Sequence, residues 1–382
     1  MCPFARAPIA MKCFRSCVIA WCFAMSVPGR AQQAKSTEDG QTEPAPPAQA
    51  ATGSSASEFP VEVAGYLSFR YLNDDALDEH HFYSEYSGSL FLSKTIGRWR
   101  FHAEFNASNA SEFDSEGIHL IPRRADLSVK LDSGFVNYNA RDWLQFQGGF
   151  LFIPTYWRTH RYQSTTLTVD EPLIDQTVFS TAFKGGMVHG DRYFGEGGFS
   201  YFVYGGVDQQ TEFQQGVLST WIERARSVGG KLTLHLPTRQ FFNTFDISYH
   251  RLYRSPSDGR PDEIYGGELY LQKNRVELLT EFAHASLDIV DGVRLSISQG
   301  YYVQPSYRIT RRLFGVFRYD RLDLDSLYAS ESSLARQSAG LTYRPIPSVS
   351  LKLEADRYEP QAGRRPAYYG VTTGIVYFFH LP

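Results

Sequence analysis

The sequence predicts an all-β chain, a transmembrane antiparallel β-barrel of about sixteen strands. Three observations point there. The last segment alternates, with Tyr369, Val371, Thr373, Ile375, Tyr377 and Phe379 on one face. Its other face carries Tyr368, Gly370, Thr372, Gly374, Val376 and Phe378, because successive strand residues point to opposite sides. Segments of this kind recur from Phe59 onward, joined by links that are short and long in strict turn. Ahead of them lies a stretch with the marks of an export signal.

Composition agrees with a barrel. Aromatic residues make up 15% of the 382 positions, with 24 Tyr and 28 Phe, yet mean hydropathy is only -0.33. No run of about eighteen apolar residues follows residue 30, which excludes a helical membrane protein. In a barrel only alternate strand residues meet lipid, so high aromatic content and mild polarity coexist.

The N-terminus reads as export machinery. Arg6, Lys12 and Arg15 precede the apolar run Cys17–Met25, and Gly29 and Ala31 have the spacing of a cleavage site. A secretory signal peptide over residues 1–31 is therefore expected. Its removal takes away all four cysteines (Cys2, Cys13, Cys17, Cys22), leaving no disulfide and no thiolate metal site. It also removes Arg6, Lys12, Arg15 and Arg30 and no acid, moving the formal charge from -3 to -7. That balance argues against nucleic acid as a partner. Residues 32–58 lack large apolar side chains and read as a disordered periplasmic tail, which leaves 59–382 for the barrel.

The strands follow in order. The first carries Val61, Val63, Leu67 and Phe69 against Glu62, Ser68 and Arg70, and the polar link 72–81 follows it. The second carries Phe82, Tyr86, Leu90 and Leu92, and Ile96-Gly97-Arg98 turns it into Trp99, Phe101, Ala103 and Phe105. After a long link come Leu127, Val129 and Leu131, a turn at 139–142, and Leu144, Phe146, Phe150 and Phe152. The longest link, 154–180, leads to strands near 182–189 and 197–205 with a turn expected at Gly190-Asp191-Arg192. Link 206–225 precedes Val228, Leu232, Leu234 and Leu236, and the turn at 237–240 precedes Phe245, Ile247 and Tyr249. Tyr265, Leu269 and Leu271 turn at Lys273-Asn274 into Val276, Leu278 and Phe282. Strands near 294–307, 313–322, 335–344, 348–357 and 367–379 complete the series. An even count returns both ends to the periplasm, where first and last strands meet and leave no open edge in lipid. A soluble all-β protein, such as a pair of sandwiches, leaves the alternating link lengths unexplained.

Short motifs carry a resemblance. Gly300-Tyr301-Tyr302-Val303-Gln304-Pro305-Ser306-Tyr307-Arg308, then Phe317-Arg318-Tyr319-Asp320, with Gly148-Gly149-Phe150, Ile153-Pro154 and Glu171-Pro172-Leu173, resemble the phosphate-selective porin O and P family over most of 61–382. The resemblance implies a sixteen-stranded outer-membrane barrel, usually a homotrimer, that passes small anions. It implies an outer-membrane porin, a passive diffusion channel for small hydrophilic solutes, anionic ones among them. Members that favour phosphate line the pore with a dense lysine ladder. Here the barrel has only Lys94, Lys130, Lys184, Lys231, Lys273 and Lys352, so the channel is expected without the ladder. A non-conducting structural or adhesive barrel, or a barrel hydrolase, are the alternatives.

Placing each apolar face against lipid assigns the opposite face to the lumen. The basic set there is Arg70, Arg100, Lys130, Lys184, Lys231, Arg308, Arg318, Arg336, Arg344 and Lys352. The acidic set is Glu62, Glu104, Asp132, Asp246, Glu268, Glu277, Glu281, Asp320, Glu354 and Asp356. The sets match in size, but Asp246, Glu268, Glu277 and Glu281 fall on the ninth to eleventh strands without an evident basic partner. Either the charges set up a field across the pore, or they pair with neighbours and solvate the wall. Link 154–180 holds Arg158, His160, Arg161, Asp170 and Glu171. The third loop of a porin folds inward, and this link is expected to form the same constriction. A surface loop is the other placement.

Catalysis finds little support. Ser248 and His250 lie two apart with Asp246 beside them, but residues two apart on a strand are separated by roughly 7 Å. No catalytic residue is assigned, and neither a metal site nor a cofactor is expected.

Overall fold

The computed structural model describes residues 61–74, 81–113, 128–154, 166–177, 182–209, 212–214, 217–219, 225–236, 243–253, 261–286, 297–324, 333–360 and 366–381. The signal segment 1–31, the tail 32–58, the turn at 237–240 and most of the long links lie outside these residues. The chain parts into units Met1–Ala48 and Gln49–Pro382, and the second holds every described element.

The first half of the barrel comprises β1 (Glu62–Asp74), β2 (His81–Ile96), β3 (Trp99–Phe113), β4 (Ser128–Arg141), β5 (Leu144–Phe152), β6 (Ala182–Phe194) and β7 (Gly197–Gln209). One helical turn, α1 (Leu173–Thr177), lies between β5 and β6. Strands β8 (Glu212–Gln214) and β9 (Val217–Ser219) form a separate two-stranded sheet. The barrel resumes with β10 (Ala225–His235), β11 (Thr244–Tyr253), β12 (Asp262–Lys273), β13 (Val276–Ser286) and β14 (Ile297–Arg308). It ends with β15 (Leu313–Leu324), β16 (Ser333–Ile346), β17 (Val349–Pro360) and β18 (Tyr368–Leu381).

Each barrel strand pairs antiparallel with its neighbours in sequence, and β1 pairs with β18 from Val63–Leu381 to Asp74–Gly370, so sixteen strands close. Closure pairs the backbone groups of what would otherwise be two edges. No helix among the described residues is long and apolar enough to cross a membrane; a barrel crosses with strands instead.

The short connections carry the turn chemistry their geometry needs. Gly97 and Asn274 adopt φ of 59° and 57°, the left-handed region open to Gly and tolerated by Asn. At Ile309–Arg312 the Thr310 hydroxyl accepts from the amides of Arg312 (3.2 Å) and Leu313 (3.0 Å).

One expected turn is displaced. Residues 190–192 continue β6, and the chain reverses at Gly195-Glu196, where Gly195 has φ of 63°. The glycine at 190 serves close approach rather than reversal. A Cβ there would strike the Trp143 backbone, whose carbonyl also accepts the Tyr201 hydroxyl at 2.7 Å. Composition alone does not separate these two uses of Gly. A second row of the same kind is Gly149, Gly185 and Gly206, register partners across β5, β6 and β7. Cβ atoms at the three would meet the carbonyls of Gly134, Gly205 and Lys184 respectively.

Exposed apolar side chains form the outer surface. In β18, Tyr369, Val371, Ile375 and Tyr377 are exposed, while Gly370, Thr372, Gly374 and Val376 are buried. Aromatic residues gather toward both strand ends, as Trp99, Phe101 and Phe146 near the short turns and Tyr86, Tyr253 and Tyr265 near the long links. Aliphatic residues such as Leu67, Val203, Ile247 and Leu353 lie between, which is the banding of a lipid-facing barrel.

Two outcomes test this surface and this wall. Ile375→Arg lowers barrel assembly by about 2–4 kcal/mol, the cost of a cation near the bilayer midplane, whereas Ile375→Val assembles normally. Gly185→Val blocks closure because its side chain has no space beside Gly205. Heat-modifiable gel migration of the folded barrel reads both.

Candidate functional site

Register decides which side chains face inward, since directly opposed residues of a ladder share a face. Following the ladders from β18 around to β1 returns every strand's inner set to itself. That set contains Arg70, Arg100, Lys130, Lys231, Asp246, Glu268, Glu277, Glu281, Arg318 and Arg344. Lys184 is the exception. It pairs with Phe150 and Val207 on the outer face, its Nζ 5.8 Å from the Phe150 ring centroid. The inner face of β5–β7 is itself apolar in part, with Leu151, Phe183, Met187 and Tyr204 buried in one cluster. Hydropathy therefore does not distinguish lipid from lumen at these strands.

Residues 166–177 belong to the link between β5 and β6 in sequence, and they rest on the inner face of β15–β17. Going round the barrel from β5, strand β15 is the eighth neighbour in either direction. The described part of the β5–β6 link therefore lies inside the barrel against the wall opposite β5. Arg318 of β15 donates from Nη1 to the Asp170 carbonyl (2.8 Å) and to Thr168 Oγ1 (3.1 Å). Arg336 of β16 donates to the Glu171 carbonyl at 2.6 Å, and Thr342 to the Leu167 carbonyl at 2.6 Å. Lys352 of β17 reaches Thr166 Oγ1 (2.7 Å) and the Thr168 carbonyl (3.0 Å). In the other direction the Val169 amide donates to Glu354 Oε2 (2.6 Å) and the Leu173 amide to Asp320 Oδ1 (3.2 Å). Arg70 of β1 meets the Asp170 carboxylate at 3.3 Å.

These contacts explain why irregular chain can lie there. Backbone groups away from water need partners, and wall side chains supply them. The wall charges are also matched among themselves. Arg318 Nε lies 2.9 Å from Asp320, its Nη2 3.4 Å from Glu354, and Arg336 Nε 3.1 Å from the same Asp320 oxygen. Arg318 is 0% exposed and Arg336 1%, so both hold the segment rather than facing open water. Beyond them Ser338 hydrogen-bonds Asp356. Apolar packing extends the seat, as Leu173 and Ile174 of α1 enter a cluster with Leu252, Ile264, Leu279, Tyr302 and Leu322.

The acids of β11–β13 have a basic neighbour after all. Lys231, on β10, lies 3.3 Å from Asp246 and 3.0 Å from Glu268. The partner was hidden because it comes from the adjacent strand, where Lys231 stands diagonal to Asp246. One ammonium serves several carboxyl groups. Glu281 opposes Glu268 in register and lies within electrostatic reach of Asp175 on α1. Glu277 accepts the Tyr270 hydroxyl at 3.3 Å.

The remaining expected residues fall around the wall. Lys130 is paired with Asp132 at 3.0 Å, Asp132 being the extra residue where the β3–β4 register shifts. Arg344 lies over the Phe314 ring at 5.2 Å, and Arg100 is half-buried on the inner face of β3. Asp170 and Glu171 belong to the segment 166–177. Arg158, His160 and Arg161 lie outside the described residues. Ser248, His250 and Asp246 do not form a relay, since His250 Nδ1 faces the Tyr204 hydroxyl at 3.0 Å and Asp246 faces Lys231.

Across from the latched segment the inner wall changes character. Asn137, Gln145, His189 and Phe202 share it, with Asn137 donating to Gln145 (3.0 Å) and meeting His189 Nε2 (3.1 Å), and His189 stacked on Phe202 at 5.7 Å. Ser200 meets His235 Nε2 at 2.6 Å. Amide, hydroxyl, imidazole and ring faces stand here beside Arg100, Lys231 and Asp191, the register partners of Asn137, Phe202 and Ser200. Sequence reasoning passed over Thr166, Thr168 and Thr342. The clue available was the alternation Thr166, Thr168, Asp170 in the longest link, a polar row that matches the inward row Lys352, Glu354, Asp356 on β17.

No known family pattern matches the chain, and no curated protein matches it. Solved structures do. The outer membrane channel DcaP of Acinetobacter baumannii superposes with a TM-score of 0.57 at 12% identity, over 84% of this chain and 97% of that one. OprB of Pseudomonas putida at high pH gives 0.59 at 8% identity, over 84% and 94%. OmpF of Salmonella typhi in complex with daunomycin gives 0.55 at 13% identity, over 84% and 97%. The likeness establishes the fold. It is the closed sixteen-stranded barrel of these proteins.

The latch makes a direct test. Thr168 is 1% exposed, so a Thr168→Cys protein reacts slowly with a water-soluble thiol reagent. Adding Arg318→Met leaves the Asp320 and Glu354 carboxylates without that partner, a loss of about 3–5 kcal/mol for a buried pair. Labelling at position 168 then accelerates while the barrel still migrates as a folded species.

Proposed function

We propose that this chain is an outer-membrane porin, a passive diffusion channel for small hydrophilic solutes. The observation that carries it is the segment 166–177, which lies in the lumen and is held to the far wall by polar side chains from four strands, β1, β15, β16 and β17. A barrel serving only as scaffold or adhesin has no use for a constriction seated in this way. The DcaP structure, titled an outer membrane channel, supports the same reading. In this proposal residues 1–31 are the export signal, 32–58 a periplasmic tail, and Arg158, His160 and Arg161 part of the constriction with Asp170 and Glu171.

The resemblance to the phosphate-selective O and P porins stays part of the proposal and brings with it a homotrimer. Its motif residues Arg318, Asp320 and Glu171 are latch residues here, so the shared pattern speaks to how the constriction is held rather than to the anion that passes. A solute moving between the segment and the β4–β7 wall meets amides, hydroxyls and ring faces, with Lys130 and Asp191 among them. Uncharged polar solutes and small anions fit such a lining, and apolar ones lose hydrogen bonds on entering it.

Planar-bilayer recording tests the reading. Stepwise ohmic conductance is expected, with a small reversal potential in a salt gradient because most lining charges are compensated. Arg100→Gln shifts that potential toward cations and Glu277→Gln toward anions, and high salt blunts both shifts by screening. A folded barrel that stays silent would overturn the channel in favour of a structural or adhesive barrel. Cleavage of lipid or peptide would overturn it in favour of a hydrolase.

A further inference from the structure

We propose that the short-turn rim of the barrel is a binding surface for anionic phospholipid headgroups of the adjoining leaflet. The proposal rests on the membrane placement given above and adds a partner to it. The whole chain is acidic, with a formal charge of -3, yet this rim is strongly basic. Arg98, Arg141, Arg192, Arg275, Arg311 and Arg312 are all exposed there. Lys94 and Lys273 stand on the outer face of the strand ends beside them, paired in register with Phe101 and Val276. Among the described residues, the acids on the outward side of this rim are Asp142 and Glu196.

The opposite rim is built differently. Among its described residues, three of the four outward arginines are matched, Arg251 with Glu263 at 3.7 Å, Arg321 with Asp323 at 3.2 Å and Arg357 with Glu359 at 2.7 Å, and Arg226 is exposed beside them. Among the described residues the excess of cations is larger at the short-turn end, and it asks for an external counter-charge there.

Position selects lipid as its source. The basic rim adjoins the exposed rings of Trp99, Trp143, Phe146 and Phe194, the level at which aromatic side chains meet headgroups. Two of the arginines are held against those rings, Arg141 at 5.8 Å from the Trp143 centroid and Arg192 at 5.1 Å from Phe194. A guanidinium there presents its fork to phosphate oxygens, which it binds two at a time. The cations are also distributed around the circumference, over the turns following β2, β4, β6, β12 and β14. A small soluble anion would meet one or two of them, whereas a leaflet presents a headgroup to each. Anionic lipid is attracted by clustered basic residues in the same way at other membrane surfaces.

The test uses the full chain reconstituted in phosphatidylcholine vesicles, with Trp21→Phe, Trp157→Phe and Trp221→Phe introduced so that Trp99 and Trp143 report from the barrel. Brominated phosphatidylglycerol and brominated phosphatidylcholine are compared as quenchers at equal mole fraction. Roughly twofold stronger quenching by the anionic lipid is expected. The combined Arg98→Gln, Arg275→Gln, Arg311→Gln and Arg312→Gln protein loses that preference. The Arg251→Gln, Arg321→Gln and Arg357→Gln protein keeps it, and folded gel migration of both confirms that the barrels compare. Equal quenching by the two lipids, or loss of preference in the second variant instead of the first, overturns the proposal. Inorganic phosphate at matched ionic strength leaves the preference in place; its abolition would mark a plain anion site and overturn the lipid assignment. Conductance in bilayers of the same lipids separates the two readings. A conducting barrel without lipid preference sinks this proposal alone, and a silent barrel with the preference sinks the channel alone.

Discussion

Backbone N–H and C=O groups that leave water need partners inside the protein, and both halves of this architecture follow from that constraint. In the wall it is met by closure. The β1–β18 ladder pairs the first strand with the last, and without it each edge would present a row of unsatisfied groups to hydrocarbon. In the lumen it is met by side chains. The segment 166–177 has no ladder of its own, so Arg318, Arg336, Thr342 and Lys352 donate to its carbonyls while Glu354 and Asp320 accept from its amides. Ladder and latch solve one problem with two kinds of hydrogen bond.

The latch also accounts for the concentration of buried charge on β15–β17. Isolated ions in such a place cost several kcal/mol each in desolvation. Here Arg318 and Arg336 share Asp320, and Arg318 also reaches Glu354, so the remaining donor positions are available for the segment's carbonyls. A hydrophobic replacement of the whole set would keep the wall folded but leave the carbonyls of Leu167, Thr168, Asp170 and Glu171 without these donors. The network therefore reads as a device for placing the segment 166–177 more than for stabilising the barrel. Its counterpart on β10–β13, with Lys231 among Asp246, Glu268 and Glu281, holds fewer cations per acid, so the two sides of the lumen differ in balance as well as in contact with the segment.

Much of this was legible in the sequence wherever one strand face touches lipid. β18 and β17 alternate cleanly, and their inner and outer sets follow from period two alone. Legibility failed where both faces are partly apolar. On β6 the inner Phe183 and Met187 pack in a cluster, so Lys184 looked like a lumen residue and is an outer one. It failed too where glycine has two uses, as at Gly190, which admits the Trp143 backbone instead of turning the chain. An inward fold of 154–180 was expected from the resemblance and from link length; the partners of its described part, 166–177, were not, because a contact between the β5–β6 link and β15 spans half the barrel and leaves no local pattern. The ion partner of Asp246 and Glu268 was missed for a related reason. Cross-strand diagonals depend on register, and register is set by the whole ladder.

The arginines show how one side chain takes different roles by position. On the inner face of β15 and β16 the guanidinium is fully enclosed, its charge matched by carboxylates and its spare donors spent on carbonyls. On the outer face at the long-link end it is half-exposed and paired with a carboxylate on the same or the adjacent strand, as in Arg251–Glu263 and Arg357–Glu359. Such pairs contribute little to stability in water, but they compensate most of the described outward arginines of that rim. At the short-turn end the same residue type is exposed, set against aromatic rings and outnumbers nearby acids. Pairing is thus applied inside, where an unmatched charge would disrupt the fold, and at one rim, where nothing in the fold demands it. Among the described residues it is scarcer at the other rim, and a surface that meets a leaflet of phosphate esters has a physical reason to leave its cations unmatched.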